Sequence, residues 1–557
     1  MDVENVKGRL QNPFGLISDG VFQVKVLTEA GMLKPVRPDK LARMGLTFAR
    51  WGATPATGAA VTAIQYPDEV AVIDEKGELT FEQVHRRSNA LARAFEKRGV
   101  GPGKGVGIMC RNHRGFIDAT LAAAKLGAGS LYLNTQFAGP QLAEVMEREG
   151  PEILVYDEEF AELLEEVDED VTRVVGWTDG GSREPTIDEL IEESDDSDLS
   201  PPAEKPRFVI LTSGTTGTPK GAQRSSPDGL GAVAALFDVI PFRSRDRMMI
   251  ACPLFHSWGF THFVLSLPLA STIVLRRKFK EEDTLKTVEE HDANVLVVVP
   301  VMLQRILNLD EETLSKYSLP SLRITSVSGS ALPGELALKW MDHFGDNIYN
   351  LYGSTEVAYA TVATPEDLRA APGTAGRPPR GTIVRLYDDD GNPVEEGESG
   401  RIFVGNDMQF EGYTGGGSKD EIDGLLSSGD MGHFDEEGRL FIDGRDDEMI
   451  VSGGENVFPR EVEDLLSDHD AIAEAAVIGI EDEEFGQRLK AFVVLSDGKD
   501  AGEDELKKHV KSNLAGYKVP KEVEFLDELP RNATGKILKR ELKEREAEKP
   551  GREVQNT

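Results

Sequence analysis

The chain reads as an α/β protein: a large N-terminal domain with a small β-rich subdomain, followed by a small α+β C-terminal domain. Three observations predict this. At 557 residues the chain is too long for one simple core. Between about residues 70 and 330, short apolar runs alternate with helical patterns, the rhythm of a largely parallel sheet covered by helices. The texture then changes twice. Past 370, Gly/Pro turns separate short strands, and after Asp443-Gly444-Arg445-Asp446-Asp447 a mixed helix and strand pattern begins. The boundaries expected are an arm at 1–60, a large domain at 61–445 with its β-rich part from about 370, and a small domain at 446–557.

Residues 1–60 mix Gly, Pro and isolated apolar positions and are compatible with a helical arm packed on the body or with a dimer contact. Val70–Asp74 is a short strand. Thr80, with Gln83 three residues later, is a helix N-cap, and that helix runs through Ala90–Phe95 to Gly99. Val106–Met109 is a buried strand, Phe116–Leu126 a helix ended by Gly127, and Ile153–Tyr156 a further strand. The polar, acidic stretch 178–206, with its paired prolines, reads as a linker. A helix near Leu230–Phe237 and strands at Arg247–Ala251, Thr272–Leu275, Val295–Val299 and Ile324–Ser328 continue the alternation. Val384–Tyr387 and Arg401–Val404 are strands of the β-rich part. From 446 onward two helical patterns and about three strands are expected. Lys518 and Lys539 read as surface charges.

Composition narrows the function. The net charge of −36 argues against nucleic acid or an anionic surface as the main partner, because the long-range field repels both. Cys110 and Cys252 are the only cysteines and have no metal-ligand spacing, which fits a reducing, cytoplasmic setting. Met1–Asn5 lacks a basic n-region and an apolar h-region. The apolar stretch at about Phe263–Leu275 falls short of the ~20 residues that span a bilayer.

The most informative stretch is Ile210-Leu211-Thr212-Ser213-Gly214-Thr215-Thr216-Gly217-Thr218-Pro219-Lys220-Gly221. A buried strand empties into a loop whose glycines let backbone N–H groups turn toward an anion. Ser213, Thr215 and Thr216 add short donors, and Lys220 adds a mobile charge. That is the chemistry of holding a polyphosphate. A Walker A loop needs a different frame, because here Pro219 precedes the lysine and Gly221 follows it. The string closely resembles the signature loop of the adenylate-forming enzymes, namely acyl-CoA synthetases, luciferases and peptide-synthetase adenylation domains.

Further motifs follow in that family's order, and the resemblance covers about residues 67–545. It implies a two-step reaction in which a carboxylate attacks the α-phosphate of ATP, and a thiol, usually of coenzyme A, then displaces AMP. Its partners would thus be a small carboxylic acid, ATP with Mg²⁺, and coenzyme A. Gly329-Ser330-Ala331 resembles the shelf beside the adenine and the acyl carboxylate. Asn350-Leu351-Tyr352-Gly353-Ser354-Thr355-Glu356 resembles the adenine and metal motif. There Tyr352 offers a flat face, Thr355 a donor to the α-phosphate and Glu356 a carboxylate for Mg²⁺. Asp430 matches the ribose-binding acid, Arg445 a ribose or phosphate contact, and Asp447 the hinge. Gly453 and Gly454 resemble the loop that lines the pantetheine tunnel. Lys536, in Pro530-Arg531-Asn532-Ala533-Thr534-Gly535-Lys536, matches the catalytic lysine turn.

By the same resemblance, His256 falls at the aromatic gate position near the acyl carboxylate. It is given a positioning role, because a carboxylate substrate is already ionised and needs no base. A Ser-His-Asp hydrolase would need a G-x-S-x-G elbow, which neither Ser213 nor Ser330 has. Gly353 falls where acetate-specific relatives carry a bulky tryptophan, so open space is expected there. Trp258, Gly259, Phe260, Val327 and 358–360 are expected to line an apolar acyl pocket. A medium- or long-chain fatty acid is expected as substrate. The alternatives are an aryl or sterol side-chain acid, or transfer to a carrier protein instead of coenzyme A.

Overall fold

The computed structural model describes residues 13–211, 221–224, 230–395, 397–408, 410–413, 418–452, 455–482, 486–532 and 535–547. Two large sheets form the body. The first has eight strands in the spatial order Thr361–Ala363, Ile348–Tyr352, Ile324–Val327, Val295–Val298, Arg247–Ile250, Thr272–Leu275, Val70–Asp74 and Gly77–Thr80. Its inner neighbours pair in parallel and only the two edge strands run antiparallel. The second has seven, in the order Phe410–Tyr413, Gly221–Arg224, Arg207–Leu211, Gly129–Tyr132, Gly105–Met109, Ile153–Asp157 and Thr172–Trp177. Val295–Val298 and Ile324–Val327 are buried at every position, as expected of parallel strands covered on both faces. The expected α/β alternation is the fold.

The described residues of the arm, 13–65, ambiguous in sequence, contain three helices: α1 (Pro13–Glu29), α2 (Pro38–Trp51) and α3 (Pro55–Gln65). Helix α1 buries Val26 and Leu27, and Asp19 and Phe22 meet the Arg380 guanidinium by ion pair and ring face. Helix α2 buries no residue completely and leaves Leu41, Leu46 and Phe48 exposed.

Helix α4 (Phe81–Glu96) opens on the capping box foreseen at Thr80 and Gln83, with both reciprocal hydrogen bonds formed. Helix α5 (Arg114–Lys125) is buried along its whole length. Its first residue, Arg114, pairs with the buried Asp74 of the neighbouring sheet through two nitrogens, at 3.0 and 2.5 Å from Oδ1. Burial works to raise the Asp74 pKa, but the Arg114 hydrogen bonds and charge prevail and hold it below the usual carboxylate range. The cysteines, Cys110 and Cys252, are both free and fully buried.

The expected linker at 178–206 contains a helix, α6 (Ile187–Glu192), capped by Thr186 and Glu189. Six residues are too few for a readable period. The acids around it are clamped onto α4, with Asp196 accepting from Arg86 at 2.7 Å and Asp198 meeting His85 at 3.0 Å. Further along come α7 (Gly231–Val239), α8 (Ser257–Leu269) and α9 (Pro300–Leu307). A Cβ on Gly58 of α3 would lie 2.9 Å from Leu267 Cβ of α8, so glycine is what lets these helices pack so closely.

The β-rich part orders Ile383–Tyr387, Gly400–Gly405, Leu425–Phe434 and Glu421–Ile422, with Leu440–Arg445 paired to Leu425–Phe434. The C-terminal part has its own five-stranded sheet and its own apolar core. Among the described residues three α-helices accompany that sheet: α10 (Pro459–Ser467), α11 (Glu503–Asn513) and α12 (Lys539–Ala547), more than the sequence reading expects. Two lysines read as surface charges are fixed there. Lys539 is largely buried and pairs with Glu448 and Glu463, each at 2.8 Å, and Lys518 pairs with Glu461. Their acids come from distant segments, which no local pattern announces. Lys490 is buried among Glu522, Glu524 and Glu546. No helix among the described residues is long and apolar enough to cross a membrane.

Removing Arg114 strands a buried carboxylate. Arg114→Ala is therefore expected to cost roughly 3–5 kcal/mol in unfolding free energy, measured by urea denaturation. Because the Asp74 pKa is depressed in the fold, the contribution of this pair is present above the usual carboxylate range. It fades as pH falls through the folded pKa.

Candidate active site

The candidate segments follow the carboxyl ends of parallel strands, where open α/β sheets bind ligands. His256 comes after Arg247–Ile250, Gly329–Ala331 after Ile324–Val327, and Tyr352 ends Ile348–Tyr352. The loop 212–220, with Thr212, Ser213, Gly214, Thr215, Thr216, Gly217 and Lys220, leaves Arg207–Leu211 but lies outside the described residues, as do Gly453 and Gly454. Every other candidate residue lines one cavity of about 1830 Å³: His256, Gly329, Ser330, Ala331, Tyr352, Gly353, Ser354, Thr355, Glu356, Asp430, Arg445 and Lys536.

Asp430 is the centre of the polar end. Its strand pairs antiparallel with Leu440–Arg445 so that Asp430 and Arg445 are direct cross-strand partners, with Arg445 Nε 3.6 Å from Oδ1. The Tyr352 hydroxyl donates to Oδ2 at 2.6 Å. Burial raises the Asp430 pKa, against the opposing pull of Arg445, the Tyr352 hydrogen bond and the Lys536 charge. Burial likewise lifts the Tyr352 phenol, with the Asp430 charge adding to it. Tyr352 thus stays neutral and is fixed at its far end, leaving its ring as a wall. Asn350, two residues earlier, is buried and lines the same cavity, with its Oδ1 unpartnered among the described residues.

Glu356 lies across the cavity. Its Oε1 accepts from the Tyr413 hydroxyl at 2.7 Å and its Oε2 from Ser354 Oγ at 2.9 Å. Burial works against the carboxylate, but these hydrogen bonds and the charge of Lys419 prevail and hold its pKa below the usual value. An ionised carboxylate beside a phosphate-sized space suits a hard divalent cation. The motif's backbone bends sharply. Ala358 has φ +62°, and a Cβ on Gly353 would lie 2.1 Å from the Ala358 carbonyl oxygen. The open space expected beside Gly353 is therefore absent, because the backbone of Ala358 and Tyr359 fills it. Asn406 holds this bend by donating to the Val357 and Tyr359 carbonyls, both at 2.8 Å. Asn406, Tyr413 and Lys419 come from 406–419, where the sequence carries no motif, and only the fold reveals their part.

His256 caps α8, accepting the Trp258 N–H on Nδ1 at 3.5 Å, and desolvation pushes its pKa down to about 4. A neutral imidazole with Nδ1 accepting carries its proton on Nε2. Trp258 is fixed by its indole N–H to the Val298 carbonyl at 3.2 Å and by an edge contact to His262. Trp258, Phe260, Ala358 and Tyr359 line the apolar end as expected. Val327 and Ala360 are buried in the cores beneath, and Gly259 packs against the Pro253 carbonyl, where a Cβ would lie 2.3 Å away.

The Lys536 turn comes from the C-terminal part. Asn532 Oδ1 accepts from the Lys536 N–H at 2.9 Å, and Gly535, at φ +79°, donates to the Asn532 carbonyl. A Cβ at Gly535 would lie 2.2 Å from Val301 Cγ1 of α9, so the turn is seated directly on the large domain. Lys536 is close enough to Asp430 for its charge to act on that carboxylate.

Comparison with known proteins agrees with this geometry. The model of the AMP-binding enzyme family matches residues 60–414, and that of the AMP-binding enzyme C-terminal domain matches 461–536. The indoleacetate–CoA ligase of Aromatoleum aromaticum is 32% identical over 505 residues, covering 88% of this chain and 96% of that protein. The long-chain-fatty-acid–CoA ligase FadD13 of Mycobacterium tuberculosis is 29% identical, covering 84% and 93%. The O-succinylbenzoate coenzyme A synthetase of Bacillus subtilis, solved with ATP and a magnesium ion, superposes with a TM-score of 0.76 at 28% identity, covering 87% and 99%. With both family models in chain order and a nucleotide-sized polar cleft beside an apolar one, the chain belongs to the AMP-binding enzymes, as an AMP-forming carboxylic acid–CoA ligase.

Proposed function

We propose that the enzyme activates a medium- or long-chain fatty acid. The acid carboxylate attacks the α-phosphate of ATP, releasing pyrophosphate and leaving an acyl-adenylate. The coenzyme A thiol then attacks the acyl carbon, forming the thioester and releasing AMP. The observation that carries the choice of acid is the apolar wall behind His256, built from Phe208, Val233, Leu236, Trp258, Phe260 and Val264. It is far more apolar surface than a two-carbon acid could cover. An aryl or sterol side-chain acid is the second reading, favoured by the three aromatic rings in that wall. Transfer to a carrier protein in place of coenzyme A is separated from both by the thiol dependence of the product.

Each residue has a task in this reading. Tyr352 supplies the adenine face, and Asn350, two residues earlier, lines the same cavity. Asp430 accepts from the ribose hydroxyls with Arg445 beside it. Residues 212–220 cradle the phosphates, with Thr355 donating to the α-phosphate. Glu356 holds Mg²⁺, which neutralises phosphate charge when bound. His256 donates Nε2–H to the acid carboxylate and, being neutral, lends it no charge. Lys536 meets the negative charge that gathers on the α-phosphate oxygens as the bond forms. The seating of its turn on Val301 supports an adenylating arrangement. For thioester formation, rotation at Asp447 brings Gly453 and Gly454 to the pantetheine arm.

The primary test is an assay of purified protein with ATP, Mg²⁺ and acids from acetate to palmitate, plus an aryl acid, with and without coenzyme A. Acyl-CoA and AMP are expected with the longer acids, whereas an adenylate that ignores coenzyme A would indicate a carrier-protein ligase. Lys536→Ala is expected to lower adenylation by about 10²–10³-fold with ATP binding retained, read by pyrophosphate release and calorimetry. Glu356→Gln should raise the Mg²⁺ concentration for half-maximal rate by roughly 10–100-fold. In the parent enzyme Glu356 stays ionised until pH falls below the usual carboxylate range, so no loss of Mg²⁺ dependence is expected at mildly acidic pH.

A further inference from the structure

The apolar end of the cavity does not stop at the aromatic wall. It follows α8, touching Ser257, Thr261, Val264, Leu265 and Pro268, which lie on one stripe at helical spacing. From Ser257 to Pro268 is about 16 Å along a helix axis. Opposite runs a matching stripe of α3, Gly58, Val61, Thr62 and Gln65, brought close by the Gly58–Leu267 contact. Beyond both, Met32 and Leu33 after α1, and Met44 and Phe48 one turn apart on α2, complete the lining. Leu33 and Phe48 are 49% and 52% exposed, so the cavity ends in an apolar rim at the surface. An apolar channel that runs from His256 to an apolar opening suits an acid with a long apolar tail.

We propose that α2 and the turn after α1 form the distal wall of the acid-binding channel, so that the acid's length is read by Met44 and Val61 far from the reacting carboxylate. Helix α2 lies ahead of the region matched by the family model, which begins at residue 60. The role also accounts for a helix that buries no residue completely yet aligns Met44 and Phe48 on the cavity. At about 1.25 Å per carbon of an extended chain, the α8 stripe alone accommodates about 13 carbons. The inference rests on the acid-activating reading of the same cavity, and narrows it to acids long enough to reach the arm.

The test is the kcat/KM for palmitate relative to hexanoate, read by pyrophosphate release, in the full-length parent and in the variants Met44→Trp and Val61→Trp. Neither position is fully buried, and circular dichroism checks that both variants fold. The palmitate-to-hexanoate ratio is expected to fall roughly tenfold or more in each variant, because a bulky ring narrows the channel beyond the sixth carbon. An unchanged ratio in both, whatever the absolute rates, would overturn the role of the arm. A parent enzyme that prefers hexanoate or a shorter acid would also overturn it while leaving acid activation standing. If no acid of the panel yields pyrophosphate, the acid-activating reading fails first and the arm inference with it.

Discussion

One buried carboxylate organises the cleft. Asp430 sits where solvent no longer stabilises its charge, so it must find donors within the protein, and it draws them from separate units. Tyr352 comes from the end of the eight-stranded sheet, Arg445 from the neighbouring strand of the β-rich sheet, and the Lys536 charge from the C-terminal part. Asp430 is therefore a carboxylate already oriented by the fold, and the Tyr352 ring is fixed by the same contact. The geometry of one acid thus links sheet, subdomain and C-terminal turn.

The bend after Tyr352 shows a second economy. Val357 and Tyr359 place their carbonyls on Asn406, Ala358 takes a left-handed conformation, and Gly353 is the residue that tolerates the approaching backbone. This presents Ser354, Thr355 and Glu356 along one side of the cavity. Substitution at Gly353 would act on backbone position first and on the acid only through it. In the proposed reading the acid's size is governed elsewhere, along α8 and α3.

Much of the fold was legible. The α/β alternation, the capping box at Thr80 and Gln83, and the strand-then-loop placement of His256 and Gly329 all follow from local pattern, because parallel strands buried on both faces and capped helices leave compact signatures. The residues that could not be read are those whose reason is tertiary. Lys539 looks like any exposed lysine until Glu448 and Glu463 are brought to it. Tyr413, Lys419 and Asn406 carry no motif, and their part shows only once the fold brings them to Glu356 and to the bend after Tyr352. Helix α6 is too short to show a period and α1 carries only a weak one, whereas α2 does carry an apolar stripe, Leu41, Met44 and Phe48, yet buries none of it completely. Asn350 lay inside a recognised motif, but only its unpartnered oxygen singles it out. The phosphate loop, the plainest signal in the sequence, falls outside the described residues.

The two buried cysteines have a chemical consequence for an enzyme that handles a thiol. Cys110 and Cys252 are the chain's full complement, and both are closed to solvent. A mixed disulfide with coenzyme A therefore has no surface sulfur on which to form, and oxidised coenzyme A cannot inactivate the folded enzyme by thiol exchange. The same burial makes the protein silent toward maleimides. A single cysteine introduced at the surface would be the sole labelling site, ready for a fluorophore that follows the C-terminal part in solution.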